Sequence, residues 1–288
     1  MKGIVFFILI NLFEPGSNSF VFLKNIRNAK DIALGETCAT SSDALSFLSN
    51  PAILSEVSKF NFSFYSSILW AGIKDNSLVL SGRTPYFNFG ISLIYLSYGS
   101  FEGRDSFGYK TFNFSAYDFE FALGISRSFT ERLSFGFVLG YPYEKIDKYS
   151  SGSIIFSLGT KYIFKNNPYI KIGFSLQNLG PSVKFINESF SLPIVSRAGF
   201  SYGKKSFNIV SDFVFSSDNT PYLTFGFSYL IKNILDLRFG FKTDFDYGLL
   251  EAFRYGFGIN YPNFGIDYAL SPSASFFTHH ISLKINFK

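Results

Sequence analysis

The side chains that carry most protein chemistry are few in this sequence, and badly spaced for working together. Two histidines occur, adjacent at His279 and His280. Neighbours on a strand point to opposite faces, so the pair cannot close on one metal ion. His280, on the face away from its neighbour, is expected to bond a carboxylate rather than to hold a ligand. The single cysteine, Cys38, has no partner for an internal disulfide and reads as a small buried apolar residue. Serines are abundant, but no distinctive His-Ser motif accompanies them, and a convergent nucleophile, base and oxyanion donor are missing. Neither catalysis nor a cofactor is expected. The remaining candidates are charged groups set singly into otherwise apolar runs: Asp118, Glu120, Lys171, Asp212, Asp236, Arg238, Arg254, Asp267 and Lys284, with His280 as a polar companion. They form either a lining that contacts cargo or a network of ion pairs that holds the interior together. The network is preferred, because buried charges are tolerated only when paired.

The elements that position these groups follow from a period of two that begins near Phe60. Tyr117, Phe119, Phe121, Leu123 and Ile125 share one face of a strand, with Asp118, Glu120, Ala122, Gly124 and Ser126 on the other. The same split separates Leu235, Leu237, Phe239 and Phe241 from Asp236, Arg238, Gly240 and Lys242, and recurs between residues 253 and 260. A soluble sandwich also alternates, with its apolar face turned inward. Here one face is too aromatic, and the other too polar, for a dry core. Of 288 residues, 40 are Phe and 18 are Tyr, and only 16% are charged, against about a quarter in soluble domains. Apolar residues toward lipid and small or polar residues toward a lumen are the pattern of a transmembrane β-barrel.

The connectors agree. Tight turns at 83–86, 130–131, 165–168, 203–205, 232–233 and 261–263 interleave with other connections at 70–76, 99–116, 144–151, 179–193, 217–220, 244–248 and 271–275. Antiparallel strands turn at alternate rims, and outer-membrane barrels keep their short turns on the periplasmic side. The expectation is therefore an all-β, antiparallel transmembrane barrel of about 14 strands over residues 60–288, closing on Ile281, Leu283, Ile285 and Phe287 outward. The net charge of +5 is scattered and never forms a run that would track phosphates, so nucleic acid is not an expected partner.

Residues 1–19 read as an export signal: Met1-Lys2, an apolar stretch over 4–13, and small residues at Ser17 and Ser19, with cleavage after Ser19. The stretch is shorter than the 20 or so apolar residues of a spanning anchor. Residues 20–59 have a different texture, with Ala33-Leu34-Gly35 and a short helix predicted over 42–48 that stops at Asn50-Pro51. This segment cannot supply its own core. It is expected to act as a plug inside the barrel or across its periplasmic mouth, with the motif Asn50, Pro51, Ala52 near the rim; a loose periplasmic tail is the alternative.

Four stretches taken together resemble the PorV/PorQ family of outer-membrane barrels, whose fold is similar to that of the FadL fatty-acid transporters. They are residues 22–54 with the Ala-Leu-Gly turn and the Asn-Pro-Ala motif, residues 112–141 with Phe-Ser-Ala-x-Asp at 114–118, Gln177-Asn-Leu-Gly180 followed by Leu192-Pro193 and 197–202, and the closing hairpin at 264–272 and 278–287. The chain departs from the pattern at Ile53, where Gly is usual, at Ser157, where a lumenal Asp is usual, and at Tyr141-Pro142-Tyr143. The resemblance implies one of two non-enzymatic functions in the bacterial outer membrane. In the first, which the motifs favour, the barrel is a docking or shuttle component for protein secretion of type IX kind, with exported proteins or secretion components as partners and loops 99–116 and 179–193 as the docking surface. In the second it is a FadL-like transporter of small hydrophobic compounds. In either case outer-membrane lipid is the surrounding medium. The export signal leads to a direct expectation: the protein recovered from outer membranes has a mass lacking residues 1–19, with Phe20 first on N-terminal sequencing, and recovery as a soluble periplasmic protein would contradict the whole scheme.

Overall fold

The computed structural model describes residues 18–243, 252–273 and 276–287. Most of the expected export signal, the connection at 244–248 and part of that at 271–275 lie outside the described residues. Seventeen strands follow one another: β1 (Asn61–Ile68), β2 (Lys74–Arg83), β3 (Asn88–Arg104), β4 (Lys110–Ser128), β5 (Leu133–Ile146), β6 (Tyr149–Gly152), β7 (Ile155–Ile163), β8 (Ile170–Leu179), β9 (Val183–Phe185), β10 (Glu188–Phe190), β11 (Val195–Lys204), β12 (Phe207–Ser216), β13 (Asn219–Ile231), β14 (Leu235–Lys242), β15 (Phe253–Tyr261), β16 (Phe264–Ser273) and β17 (Phe276–Asn286).

Fourteen of them form a closed antiparallel barrel. Sequence neighbours pair around the wall, β5 with β7 and β8 with β11 where short elements intervene, and β1 pairs with β17 from Asn61↔Asn286 to Ile68↔His279 to complete the circle. Closure is what a strand protein needs in hydrocarbon, since no water is present there to satisfy an open edge. The remaining strands build the rim. β6 extends β5 through Tyr143↔Gly152 to Ile146↔Tyr149, and β9 and β10 form a separate hairpin. The connections expected as loops at 99–116, 144–151 and 179–193 are therefore largely strand: β3 and β4 pair as far as Arg104↔Lys110, and only residues 105–109 turn. The reason is compositional, since Phe101, Phe112 and Phe114 continue the alternating pattern of the hairpin, and Phe101 stacks on Phe114 at 5.4 Å.

The two faces divide as period two dictates. Along β4 the outward Phe121, Leu123 and Ile125 are 38%, 43% and 51% exposed, while the inward Ala122 is fully buried. The outward positions of the other barrel strands are likewise aromatic or aliphatic and exposed, as at Phe174, Phe213, Phe239 and Ile281. His279 points outward, bonding Tyr268 Oη at 2.7 Å, and His280 points inward.

What buries the inward face is the chain's own N-terminal segment. Residues 18–57 run from the rim that carries the longer connections, where Asn18 bridges to Ser191, to the short-turn rim, where they lead into β1. The segment has little regular structure. A 3-10 turn at Val21–Lys24 is followed by α1 (Ala29–Ala33), whose N-cap Asn28 accepts from the Lys30 N–H at 3.0 Å. α1 ends on Gly35 at φ 78°, a conformation that favours glycine. The predicted helix over 42–48 is reduced to a 3-10 turn, Ala44–Ser46. Asn50-Pro51 opens a further turn, Pro51–Glu56, instead of stopping one: Asn50 Oδ1 accepts from Ala52 N–H at 3.1 Å, and Pro sits in the first turn, where its missing N–H costs nothing.

The wall makes room for this segment by leaving out side chains. Glycines face each other across neighbouring strands at Gly90↔Gly124, Gly136↔Gly159, Gly199↔Gly173 and Gly226↔Gly240. Each pair receives part of the segment: Phe47 and Leu54, then Asn50-Pro51, then Ala39, then Leu34-Gly35. A β-carbon on Gly240 would overlap the Gly35 amide nitrogen, and one on Gly159 would overlap Asn50 Oδ1. Two consequences can be measured. Phe121→Arg, facing lipid, should lower barrel stability by about 2–4 kcal/mol in bilayer unfolding titrations if it lies near mid-membrane. Gly240→Val should unseat the segment, so that added protease clips it before Phe60 while the barrel keeps its heat-modifiable mobility; Gly265→Ala, where a β-carbon would meet only ordinary contacts at 3.5 Å and beyond, should not.

Candidate functional site

The segment is tied to the wall by charge as well as by shape. Arg27 donates to Asp75 on β2 at 2.7 Å, and Lys24 to Asp218 at 2.7 Å. Glu36 faces Lys242 at 3.2 Å and Arg254 at 3.3 Å. Asp43 takes Lys284 at 2.6 Å, and Glu56 takes Lys161 at 2.9 Å and Lys171 at 2.8 Å. Asp212 on β12 accepts from the backbone N–H groups of Cys38 and Ala39 at 2.7 and 2.9 Å and from Arg197 at 3.1 Å, and Arg197 also donates to the Glu36 carbonyl. Within the wall, Arg238 bridges Asp236 and Asp267 at 2.8 and 2.6 Å, and Lys284 reaches Asp267 at 2.6 Å.

Of the residues singled out by spacing, Lys171, Asp212, Arg254 and Lys284 thus meet the N-terminal segment, and Asp236, Arg238 and Asp267 form a wall group that Lys284 links to it. Asp118 and Glu120 stand apart, toward the outer mouth. His280 does not meet a carboxylate: its two nitrogens bond Tyr65 Oη and Ser271 Oγ, each at 2.8 Å. Two hydroxyls on adjacent strands are nearer than any acid, which corrects the expectation. At Ser157 the hydroxyl receives the Asn178 N–H at 3.1 Å. Among the described residues no group of three or more His, Cys, Asp or Glu is placed to hold a metal ion. The acidic and basic ends on the segment, Arg27, Asp31, Glu36, Asp43 and Glu56, escaped the sequence reading because they belong to no periodic element. Asp75, Lys161 and Arg197 sit at inward, buried positions of β2, β7 and β11, where local spacing does not reveal the partner each one meets.

Cavities lie on both sides of the segment. One of 320 Å³ opens toward the outer mouth and is lined mainly by polar groups, among them Asn25, Asp75, Gln177, Arg197 and Tyr222. Two more, of 400 and 340 Å³, lie toward the short-turn rim and share Lys30 in their linings. α1 and the turn after it stand between these spaces, since Ile32 and Glu36 line the outer cavity while Asp31, Leu34 and Thr37 line an inner one. The arrangement is a lumen divided by a block of chain, with cavities above and below it.

No known protein family matches the chain, and no curated protein sequence does. Solved structures match along nearly its whole length. The Ralstonia pickettii toluene transporter TbuX aligns with a TM-score of 0.64 at 13% identity, covering 92% of this chain and 100% of that one. The CymD monoaromatic hydrocarbon channel aligns at 0.68 and 12%, covering 91% and 97%, and a Pseudomonas aeruginosa FadL homologue at 0.59 and 9%, covering 92% and 99%. The fold is that of the FadL-like outer-membrane channels. The matched structures are named as a transporter, a channel and a FadL homologue; the closed wall with its apolar, exposed exterior is itself that of a bacterial outer-membrane barrel.

In this FadL-like barrel the segment's acids respond to pH in opposite senses. Burial pushes the Asp31 carboxyl up to about 6, more than the Ser46 and Ser41 hydroxyls that bond it pull it down. Burial also acts to raise Glu36, but Lys242, Arg254 and Arg197 outweigh it and hold it down at about 2. Glu56 is lowered likewise, Lys161 and Lys171 overcoming its burial. A raised carboxyl costs stability as pH climbs from its ordinary value of 3.8 through 6, whereas a lowered one contributes stability above 4.5 that is lost as pH falls toward 2. Protease protection of residues 20–57 should therefore be greatest at about pH 4.5, falling toward pH 7 as Asp31 ionises and falling on the acid side as Glu36 and Glu56 are protonated. Asp31→Asn should flatten the difference between pH 5 and 7, and Glu36→Gln should flatten the acid limb; a rate of clipping that ignores pH in both variants and the parent would contradict this assignment.

Proposed function

We propose that this barrel is an uptake channel for small, largely apolar compounds, with residues 20–57 serving as its plug. The observation that carries the proposal is the divided lumen: spaces that open toward the two mouths are separated by α1 and the Gly35 turn, so a modest shift of that block would join them. Its seating supports the role. The block rests on backbone at glycine pairs and is held by ion pairs to the wall, a combination that fixes its position between the two spaces. The fold relatives named as toluene and monoaromatic hydrocarbon transporters support apolar solutes as the class, and the Phe- and Tyr-rich exterior gives such solutes a lipid phase in which to leave.

The docking or shuttle role in protein secretion rests on motif resemblance to PorV and PorQ alone. The β3–β4 and β9–β10 hairpins at the rim would be its surface, and among the described residues no feature of the lumen speaks for it, so the uptake reading is preferred. Cells expressing the barrel should accumulate ethylbenzene faster than cells lacking it, and Gly240→Val should raise ion conductance in planar bilayers by opening the lumen. Unchanged uptake, together with loss of surface proteins on deleting residues 99–116, would reject uptake in favour of secretion.

A further inference from the structure

A separate pocket lies beside the polar outer cavity. It has a volume of 270 Å³ and sits between residues 18–21, of which the expected cleavage after Ser19 leaves Phe20 and Val21, the outer ends of β3 to β5, and the β9–β10 hairpin. Val21, Ile146, Phe185 and Phe190 give it apolar walls. Its polar side is acidic. Asp118 on β4 and Glu144 on β5 are directly opposite one another in register and both line the pocket. Cross-strand partners on one face sit about 5 Å apart, and like charges so placed repel.

Asp118 is 2% exposed, and only one of its oxygens is satisfied: Tyr98 Oη donates to Oδ2 at 2.7 Å, while Oδ1 has no hydrogen-bond partner. No Lys, Arg or His lines the pocket. Arg27 is committed to Asp75 at 2.7 Å. Glu120, two positions along β4 on the same face, is also buried and adds a third carboxylate nearby. The wall acids Asp212, Asp236 and Asp267 each meet an arginine at hydrogen-bond distance, whereas Asp118 meets only the Tyr98 hydroxyl and Glu144 only the Phe20 N–H. A buried, half-satisfied carboxylate is costly unless something positive arrives to complete it.

We propose that this pocket receives the ammonium group of a small organic cation with an apolar body, an aryl- or alkylamine. The inference rests on the uptake reading and narrows it by naming a solute class selected at the outer mouth. The ammonium donates to Asp118 Oδ1 and to Glu144, in charge-assisted bonds that neutral molecules cannot make. The hydrocarbon body lies against Phe185 and Phe190, whose ring faces also attract a neighbouring cation. A neutral hydrocarbon of equal size fills the same walls but leaves the acids unpaired, and a carboxylate is repelled.

The test uses the mature protein purified from outer membranes in detergent, titrated calorimetrically at pH 7 with phenethylamine, ethylbenzene and phenylacetate. Phenethylamine should bind at least tenfold more tightly than ethylbenzene, and phenylacetate should not bind. D118N and E144Q should each remove most of that preference while leaving ethylbenzene affinity and heat-modifiable mobility unchanged, so that loss of folding is not mistaken for loss of the site. Equal affinity for amine and hydrocarbon, or an amine preference that survives both substitutions, would overturn the proposal. So would a parent protein that ignores phenethylamine while its N-terminus is Phe20, since the chain's own α-ammonium would then occupy the acids. If ethylbenzene still accumulates in cells in that case, the uptake reading stands and only the amine assignment falls; if neither compound enters, the uptake reading fails as well.

Discussion

A β-carbon takes up little room, yet at four places around this barrel its absence decides how the interior is organised. Cross-strand glycine pairs expose bare backbone, and a chain segment with scarcely any secondary structure of its own lies against them. The contact is close enough that Leu34-Gly35 and Asn50-Pro51 approach the wall's main chain directly. A segment so irregular cannot earn stability from helix or sheet ladders. It gains it from shape complementarity with the wall, and from hydrogen bonds such as those of Asn50 Nδ2 to the carbonyls of Ala39 and Thr160.

Charge completes what shape begins. Glu36, Asp43 and Glu56 each meet lysine or arginine from the wall, and Arg27 and Lys24 meet wall aspartates. Removing one partner would leave a buried charge unmatched, which is far worse than losing the pair. The polar lumen and the segment therefore depend on each other, and neither is a solvated surface in the ordinary sense. The same dependence gives the channel reading its physical basis: solute passage requires exchanging protein contacts for water or solute contacts at a few sites, not unfolding the wall. At the outer mouth Asp118 keeps one buried oxygen without a hydrogen-bond partner, and that is where the proposed charged visitor would sit.

The outward and inward faces could be read residue by residue, as could the interleaving of two kinds of connection and the even count of barrel strands. Each depends on information local to a strand, because the pleat alone sets the period of two and a turn occupies adjacent residues. Local signals also misled. Asn50-Pro51 looked like the end of a helix and is the start of a turn, and residues 99–116 looked like a loop although their alternation continues the hairpin.

The sequence by itself determined that the strands close into a membrane barrel and which side chains face lipid, since alternation survives whatever the global arrangement. Only the tertiary structure decided where residues 18–57 lie and with whom their charges pair. Glu36 meets Lys242 and Asp43 meets Lys284 across more than 200 positions of chain, and nothing in the local spacing of either partner encodes that meeting. It follows instead from the register of strands around a closed wall, which brings particular inward positions to the same height, and from the path the segment takes between glycine seats.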